Sequence, residues 1–157
     1  MPTDIREDAL ARIFTVMGAV PGITTNVRNR GLMQNEQRPA QVLLDGDEQP
    51  RLSIDTARIK GLAMLMAPQL IVLRPEVYYL PKEKRPKNDD PTNIGSEANA
   101  WRIDFLSRLW ADQQLADILG ANGSIVYNGC ETDLKSGSAM SGEIRLDFIM
   151  IYPLVPA

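Results

Sequence analysis

A short acidic segment, Asp45-Gly46-Asp47-Glu48, directly follows an apolar run in this chain. Carboxylate oxygens are the ligands that Mg²⁺ and Ca²⁺ prefer, so the segment is a candidate metal site. It lacks the alternating acidic positions and the distant Glu of a calcium-binding loop. Asp-Gly after an apolar strand is also a strong turn signal. We therefore expect a turn here, and we keep a Mg²⁺-dependent phosphoesterase that uses Asp45, Asp47 and Glu48 as an alternative.

The residue types that most enzymes use for proton transfer are scarce. The chain has no histidine and one cysteine, Cys130. Because histidine is the commonest proton shuttle and metal ligand, its absence excludes histidine-activated nucleophiles and histidine-based zinc sites. Cys130 lies in a predicted strand, where we interpret it as a packed or edge-strand residue. We predict that the protein is not an enzyme and that it uses no metal or cofactor.

Composition is that of an ordinary globular domain. The 157 residues are 44% hydrophobic and 24% charged, which predicts a single domain over residues 1–157 with a sizeable core. The net charge of −3 gives no reason to expect general nucleic-acid binding, which requires clustered basic charge. The first ten residues are charged and do not resemble a signal peptide, and no apolar run is long enough to span a bilayer. We expect a soluble protein made in the cytoplasm, with no membrane partner.

Hydrophobic periodicity predicts two main helices. The first covers residues 3–18, where apolar residues recur at spacings of three and four and Thr3 or Asp4 caps the start. The second covers residues 96–119, with a kink or break at the polar residues 112–114. Both tryptophans lie on the apolar side of this second helix, and tryptophans in such positions are most often core anchors.

Apolar runs bounded by turn residues predict the strands. Prolines within 67–80 indicate one long, bent strand or two strands in series, and the last two strands form a hairpin. The order of helix, strands, helix, strands predicts an α+β fold, a mainly antiparallel sheet with the two main helices packed on one face. The predicted strands are 23–28, 40–45, 67–80, 124–132 and 142–153.

Two polar segments, residues 81–95 and 133–142, are predicted to be mobile surface loops. The first is rich in lysine and arginine, and three further arginines bracket the polar loop after the first strand. Ordinary solvated charges explain these residues. The functional alternative is binding to an acidic partner for the basic loop, and ion pairs with a neighbouring subunit for the three arginines. The candidate interface residues are Arg28, Arg30, Arg38, Lys82, Lys84, Arg85 and Lys87.

The chain resembles the tail-terminator (tail completion) proteins of long-tailed bacteriophages, the group that includes the terminator of phage lambda. The likeness is carried by the order of short segments along the chain. These are the helix "TDIREDALARIFTVM", the strand with "VRNR", the strand and acidic turn "RPAQVLLDGDEQP", the strand ending "EVYYLP", a helix with two tryptophans, and the closing strand "EIRLDFIMIYPLV".

The resemblance implies a structural virion protein, assembled in the host cytoplasm, at the head-proximal end of the tail. Such proteins form a ring, usually a hexamer, that stops polymerisation of the tail-tube protein and offers a surface to the head-tail connector protein. DNA would pass through the lumen without specific binding, which suits an acidic chain. A neck or head-completion protein, which would bind the portal side, remains an alternative.

Overall fold

The computed structural model describes residues 4–32, 36–51, 70–82, 93–121, 123–135 and 141–154. Three helices lie in these ranges: α1 (Ile5–Gly18), α2 (Asn93–Trp110) and α3 (Gln113–Leu119). None of the helices in this part of the chain is long and apolar enough to cross a membrane.

Helix α1 has the boundaries that its capping residues dictate. The Asp4 side chain accepts a hydrogen bond from the Glu7 backbone N–H at 3.3 Å, which satisfies one of the free N–H groups of the first turn. The helix ends at Gly18, before the turn residues Pro21-Gly22. The predicted first helix is confirmed, and it buries its stripe of apolar residues against the sheet and the other helices: Ile5, Ala9, Leu10, Ile13, Val16 and Met17.

The second predicted helix is two helices, because a polar residue interrupts it where the sequence indicated a break. Asp112 is the N-cap of α3, and its Oδ2 accepts from the Leu115 N–H at 2.9 Å. The same carboxylate binds the Arg12 guanidinium at 2.8 and 2.6 Å, which joins α1 to the start of α3. The predicted start at residue 96 was wrong by one turn, since α2 begins at Asn93.

The strands form one mixed but mainly antiparallel sheet. Its order is β1-β2-β5-β7-β4-β3, with β6 paired to the other edge of β7, and only the β1–β2 pair is parallel. The α+β fold with helices packed against the sheet is as predicted. The strands are β1 (Thr25–Arg28), β2 (Ala40–Leu44), β3 (Glu48–Arg51), β4 (Leu70–Leu73), β5 (Glu76–Leu80), β6 (Ser124–Lys135) and β7 (Ser141–Pro153).

Strands β4 and β5 lie in series along one edge of β7, which confirms the prediction for the segment around Pro75. Their other edge is covered in the same way, β3 pairing with β4 and β2 with β5. Segment 70–80 is therefore interior to the sheet, and its backbone is not an edge that a second subunit could extend.

The acidic segment Asp45–Asp47 is a break between two strands rather than a chain-reversing turn. It separates β2 from β3, directly opposite the Arg74-Pro75 break in the neighbouring pair. Gly46 has φ +77°, and a Cβ on it would collide with the carbonyl group of Arg74. The Asp-Gly signal thus marked a real backbone irregularity, but the chain continues in the same direction after it, from β2 beside β5 to β3 beside β4.

The core lies between the helices and one face of the sheet. An aromatic column crosses it: Tyr79 stacks on Trp101 with ring centroids 4.9 Å apart, Trp101 stacks on Phe105 at 5.5 Å, and Phe105 meets Phe148 edge-on at 6.3 Å. Gln41 is fully buried and ties three elements together. Its amide donates to the Met17 carbonyl at 2.8 Å, and its carbonyl accepts from Trp101 Nε1 at 2.7 Å.

The predicted loops are shorter than expected where the structure describes them. Strands β6 and β7 stay paired as far as Lys135 and Ser141, so only 136–140 of the predicted loop 133–142 lies outside the described residues. Helix α2 includes residues 93–95 of the predicted loop 81–95, and 83–92 lies outside the described residues.

Candidate functional site

The first candidate is the acidic segment, and its first carboxylate is held by an arginine. Arg28 Nε and Nη2 donate to Asp45 Oδ1 and Oδ2 at 2.8 and 2.9 Å. The two residues meet because parallel pairing of β1 with β2 sets Arg28 beside Leu43. Partial burial opposes ionisation of Asp45, but hydrogen bonds involving Arg28 and Asn29 outweigh it, and the pKa of Asp45 lies below its usual value. Asp45 is therefore a paired carboxylate.

Arg28 also binds a carboxylate on α1. Its Nη1 and Nη2 donate to Glu7 Oε1 and Oε2 at 3.0 and 2.9 Å. This hydrogen bonding lowers the pKa of Glu7, and the two carboxylates together raise the pKa of Arg28 above its ordinary value. One guanidinium thus joins α1, β1 and the break after β2 with bidentate contacts, the geometry in which arginine binds carboxylates best.

Asp47 and Glu48 have different surroundings. Glu48 Oε2 lies 3.3 Å from Arg6 Nη1 and accepts from the Tyr152 hydroxyl at 3.0 Å, while Asp47 is exposed. Burial, and then the bond to Glu48, raise the pKa of Tyr152. Within the described residues no three Asp, Glu, Cys or His side chains gather as metal ligands would. The arrangement is that of ion pairs joining α1 to the sheet.

A second charged cluster lies on the sheet face opposite the helices. Arg145 Nη2 donates to Glu131 at 2.6 Å and its Nε to Asp147 at 3.0 Å, with Glu76 3.9 Å away. The Tyr78 hydroxyl donates to Glu76 at 2.6 Å, and burial followed by this bond raises the pKa of Tyr78 to about 12. With three carboxylates around one guanidinium, this end of the sheet face is acidic.

Strand β6 is the long edge of the sheet. Among the described residues it pairs only with β7, over 12 residues. The pairing register of β6 with β7 shifts between Tyr127 and Cys130. Such irregularities protect sheet edges from unwanted pairing. Residues 124–127 carry no charge and pair with β7 in continuous register. Cys130 is exposed on this edge strand, as one of the sequence alternatives predicted.

Helix α2 carries a second apolar surface beside this edge. Ile103 is 58% exposed and Trp110 is 52% exposed, although both are large and apolar. Leu106 and Tyr127 are half-buried beside them and, with Trp110, line a shallow apolar cavity of about 330 Å³. We call Ile103, Leu106, Trp110 and Tyr127 the α2 ridge.

The ridge was missed in the sequence because its tryptophan was assigned to the core. That assignment was right for Trp101, which is 5% exposed, and wrong for Trp110. The signal was present, since Ile103, Leu106 and Trp110 recur at spacings of three and four on a side of the helix different from that of the core stripe.

The predicted interface residues do not gather at one place. Arg28 uses its donors within the chain, and Arg30 pairs with Glu36 at 2.5 and 2.9 Å. Arg38 is half-buried and Lys82 is exposed. The other three lie outside the described residues: Lys84, Arg85 and Lys87.

A comparison of the sequence with family models and with curated proteins finds no match.

Proposed function

We propose that this chain is a structural virion protein that caps the head-proximal end of a phage tail tube. In this proposal the subunits form a hexameric ring. The ring stops polymerisation of the tube protein and offers the head-tail connector its joining surface. The protein acts by fitting against copies of itself and its neighbours, and no bond is made or broken.

The observation that carries the proposal is the amount of association surface on a small chain. A 12-residue edge strand and an exposed apolar ridge lie side by side, on β6 and α2. Exposed apolar surface beside an unpaired edge is typical of protein–protein contact sites. A subunit of a ring needs such surfaces, because each copy must bind a neighbour on two sides.

The charge pattern also supports a role around DNA that slides without binding. The chain has a net charge of −3, and the described end of the open sheet face around Arg145 carries more carboxylates than cations. Anionic surface repels the phosphate backbone and so favours passage over retention.

The phosphoesterase alternative gains no support from the acidic segment. A catalytic Mg²⁺ needs carboxylate oxygens that converge on one point and remain open to water and substrate phosphates. Asp45 is instead bound by Arg28 at 2.8 and 2.9 Å, and Glu48 is bound by Arg6 and Tyr152.

The proposal is tested by mixing the purified chain with tail-tube protein during polymerisation. We expect tubes to stop growing and electron micrographs to show a ring on one end of each tube. The matched control is the same experiment with preformed capsids and no tubes.

Rings that bind only capsids would move the assignment to the neck alternative, and tubes that grow to the same length with and without the chain would contradict the proposal. Hydrolysis of a phosphoester that requires Mg²⁺ and disappears in Asp47→Asn would support the enzyme instead.

A further inference from the structure

Strand β6 contains an Asn-Gly pair at the point where its pairing with β7 is irregular. The register of β6 against β7 shifts between Tyr127 and Cys130. Two residues of β6, Asn128 and Gly129, therefore stand opposite one residue of β7, Asp147. A two-against-one arrangement is a β-bulge, which leaves the extra residue unpaired and disrupts the ladder locally. The Asn-Gly pair thus lies where the backbone of this edge strand is held least.

The surroundings of the pair are open. Asn128 is exposed, and within the described part of the chain its side-chain amide makes no hydrogen bond. Gly129 has φ +114°, a conformation that favours glycine, and a Cβ placed on it would meet no atom within 4 Å. By contrast, Asn29 Oδ1 accepts from the Asp45 N–H at 3.0 Å, which holds that amide in place. The Asn128 amide and the Gly129 backbone are therefore free to approach each other.

We propose that Asn128-Gly129 is a site of spontaneous deamidation, a modification whose only co-reactant is water. The Gly129 backbone nitrogen attacks Asn128 Cγ and forms a C–N bond, while the Cγ–Nδ2 bond breaks. The backbone N–H proton leaves with the side-chain NH₂ group as ammonia, and a cyclic succinimide remains. Water then opens the ring at either carbonyl and produces aspartate or isoaspartate. Glycine favours the ring closure because it has no side chain beside the attacking nitrogen.

The sequence contains a second Asn-Gly pair, Asn122-Gly123, which serves as an internal reference. Asn122 lies outside the described residues, but Gly123 is closely packed. Its N–H donates to the Gly120 carbonyl at 3.2 Å, and a Cβ on it would collide with the Leu119 carbonyl. A hydrogen-bonded nitrogen must be released before it attacks, and breaking one backbone bond slows the reaction by about fivefold. Asn128 should therefore react first.

Each product changes the edge of the sheet. Aspartate adds one negative charge to a chain whose net charge is −3, and it sets a carboxylate opposite Asp147. Like charges directly opposite each other destabilise a sheet. Isoaspartate passes the main chain through its side-chain carbons and so lengthens the backbone between Tyr127 and Cys130. The inference does not depend on the proposed function, since it concerns the chemistry of a single chain.

The test follows the purified chain in a mildly alkaline buffer at body temperature, with and without urea, by mass spectrometry. Trypsin releases residues 109–135 as one peptide, and fragmentation assigns a mass change to either pair. Deamidation raises the mass by about 1 Da, since OH replaces NH₂. In the folded chain we expect Asn128 to react about fivefold faster than Asn122. In urea, where the packing of Gly123 is lost, the two rates should be equal.

Asn128→Gln is the matched control, because a glutamine keeps the amide but must close a larger ring, which is much slower. The folded variant should show no mass change at this position during the time in which half of the wild type reacts, and circular dichroism verifies that it is folded. Two results would overturn the inference: equal rates at the two pairs in the folded chain, or a folded chain that keeps Asn128 intact while the urea-treated chain reacts.

Discussion

Trp101 and Trp110 lie on the same helix and meet opposite environments. Trp101 is 5% exposed, stacked between Tyr79 and Phe105, and its indole N–H donates to buried Gln41 at 2.7 Å. Trp110 touches Phe148, with ring centroids 6.2 Å apart, but half of its surface remains open. The inner side of α2 thus holds the fold together, and the outer flank presents apolar area that the described fold does not use.

This difference separates stability from function in one element. Removing a residue that the fold requires lowers the protein's free energy of unfolding, whereas removing a residue kept for a partner does not. Substitutions on the buried side of α2 should therefore lower the free energy of unfolding most, those at the ion-paired end of α1 less, and those on the exposed flank of α2 least.

Trp101→Ala should have the largest effect, a loss of about 3–5 kcal/mol in the free energy of unfolding, because it empties the aromatic column and leaves Gln41 without a donor. Trp110→Ala, the matched variant on the outer flank, should cost less than about 1 kcal/mol. Chemical denaturation measured by circular dichroism gives both values. Equal losses would contradict the proposal that the buried side of α2 stabilises the fold and the exposed flank does not.

Gln41→Leu should cost about 2–3 kcal/mol. The leucine would fill the space but leave the Trp101 indole N–H buried without a partner, while the Met17 carbonyl would keep only its backbone bond, from the Val20 N–H at 3.1 Å. Gln49→Leu is the control, since Gln49 is exposed on β3 and its loss should change stability by less than about 0.5 kcal/mol. A neutral Gln41→Leu would mean that apolar packing alone positions Trp101.

Arg28→Met should lower stability at pH 7 by about 1–2 kcal/mol, most of it from Asp45 because Glu7 is largely exposed. The folded state lowers the pKa values of Asp45 and Glu7, so their contribution is present above the ordinary carboxyl pKa of about 4 and is lost as pH falls through the lower folded values.

The measurement is the free energy of unfolding between pH 7 and pH 2. The wild type should lose stability below about pH 4. Arg28→Met should lose less of it, because its carboxylates no longer have depressed pKa values. Arg108→Met, which removes an exposed pair with Asp104 within one helix, should keep the wild-type pH profile. Identical profiles for wild type and Arg28→Met would contradict the assignment.

The sequence predicted the elements whose signals are local. The spacing of Ile5, Ala9 and Ile13 identified α1, and the alternation from Ile144 to Tyr152 identified β7 and its buried side. Asp112 marked the break before α3 for the same reason, since a capping side chain acts on its own neighbours.

What the sequence did not predict depends on contacts between distant segments. Arg28 and Asp45 are 17 residues apart and meet only because β1 lies parallel to β2. The exposure of Trp110 likewise depends on how Tyr127 of β6 and Phe148 of β7 lie against α2. A helix with two apolar stripes has the same composition whether the second stripe meets the core or a partner, so periodicity alone cannot separate these cases.

Tyr127→Phe should have the smallest effect on folding, about 0.5 kcal/mol, because it removes one half-buried hydrogen bond from Arg102 and keeps the ring in place. The phenylalanine ring still packs on Phe148 and still lies beneath the guanidinium, so the apolar shape of the ridge is preserved. The variant should therefore assemble like the wild type when both are measured by light scattering. Loss of assembly in Tyr127→Phe with unchanged stability would show that the position of Arg102, rather than the apolar surface of α2, decides how the ridge is recognised.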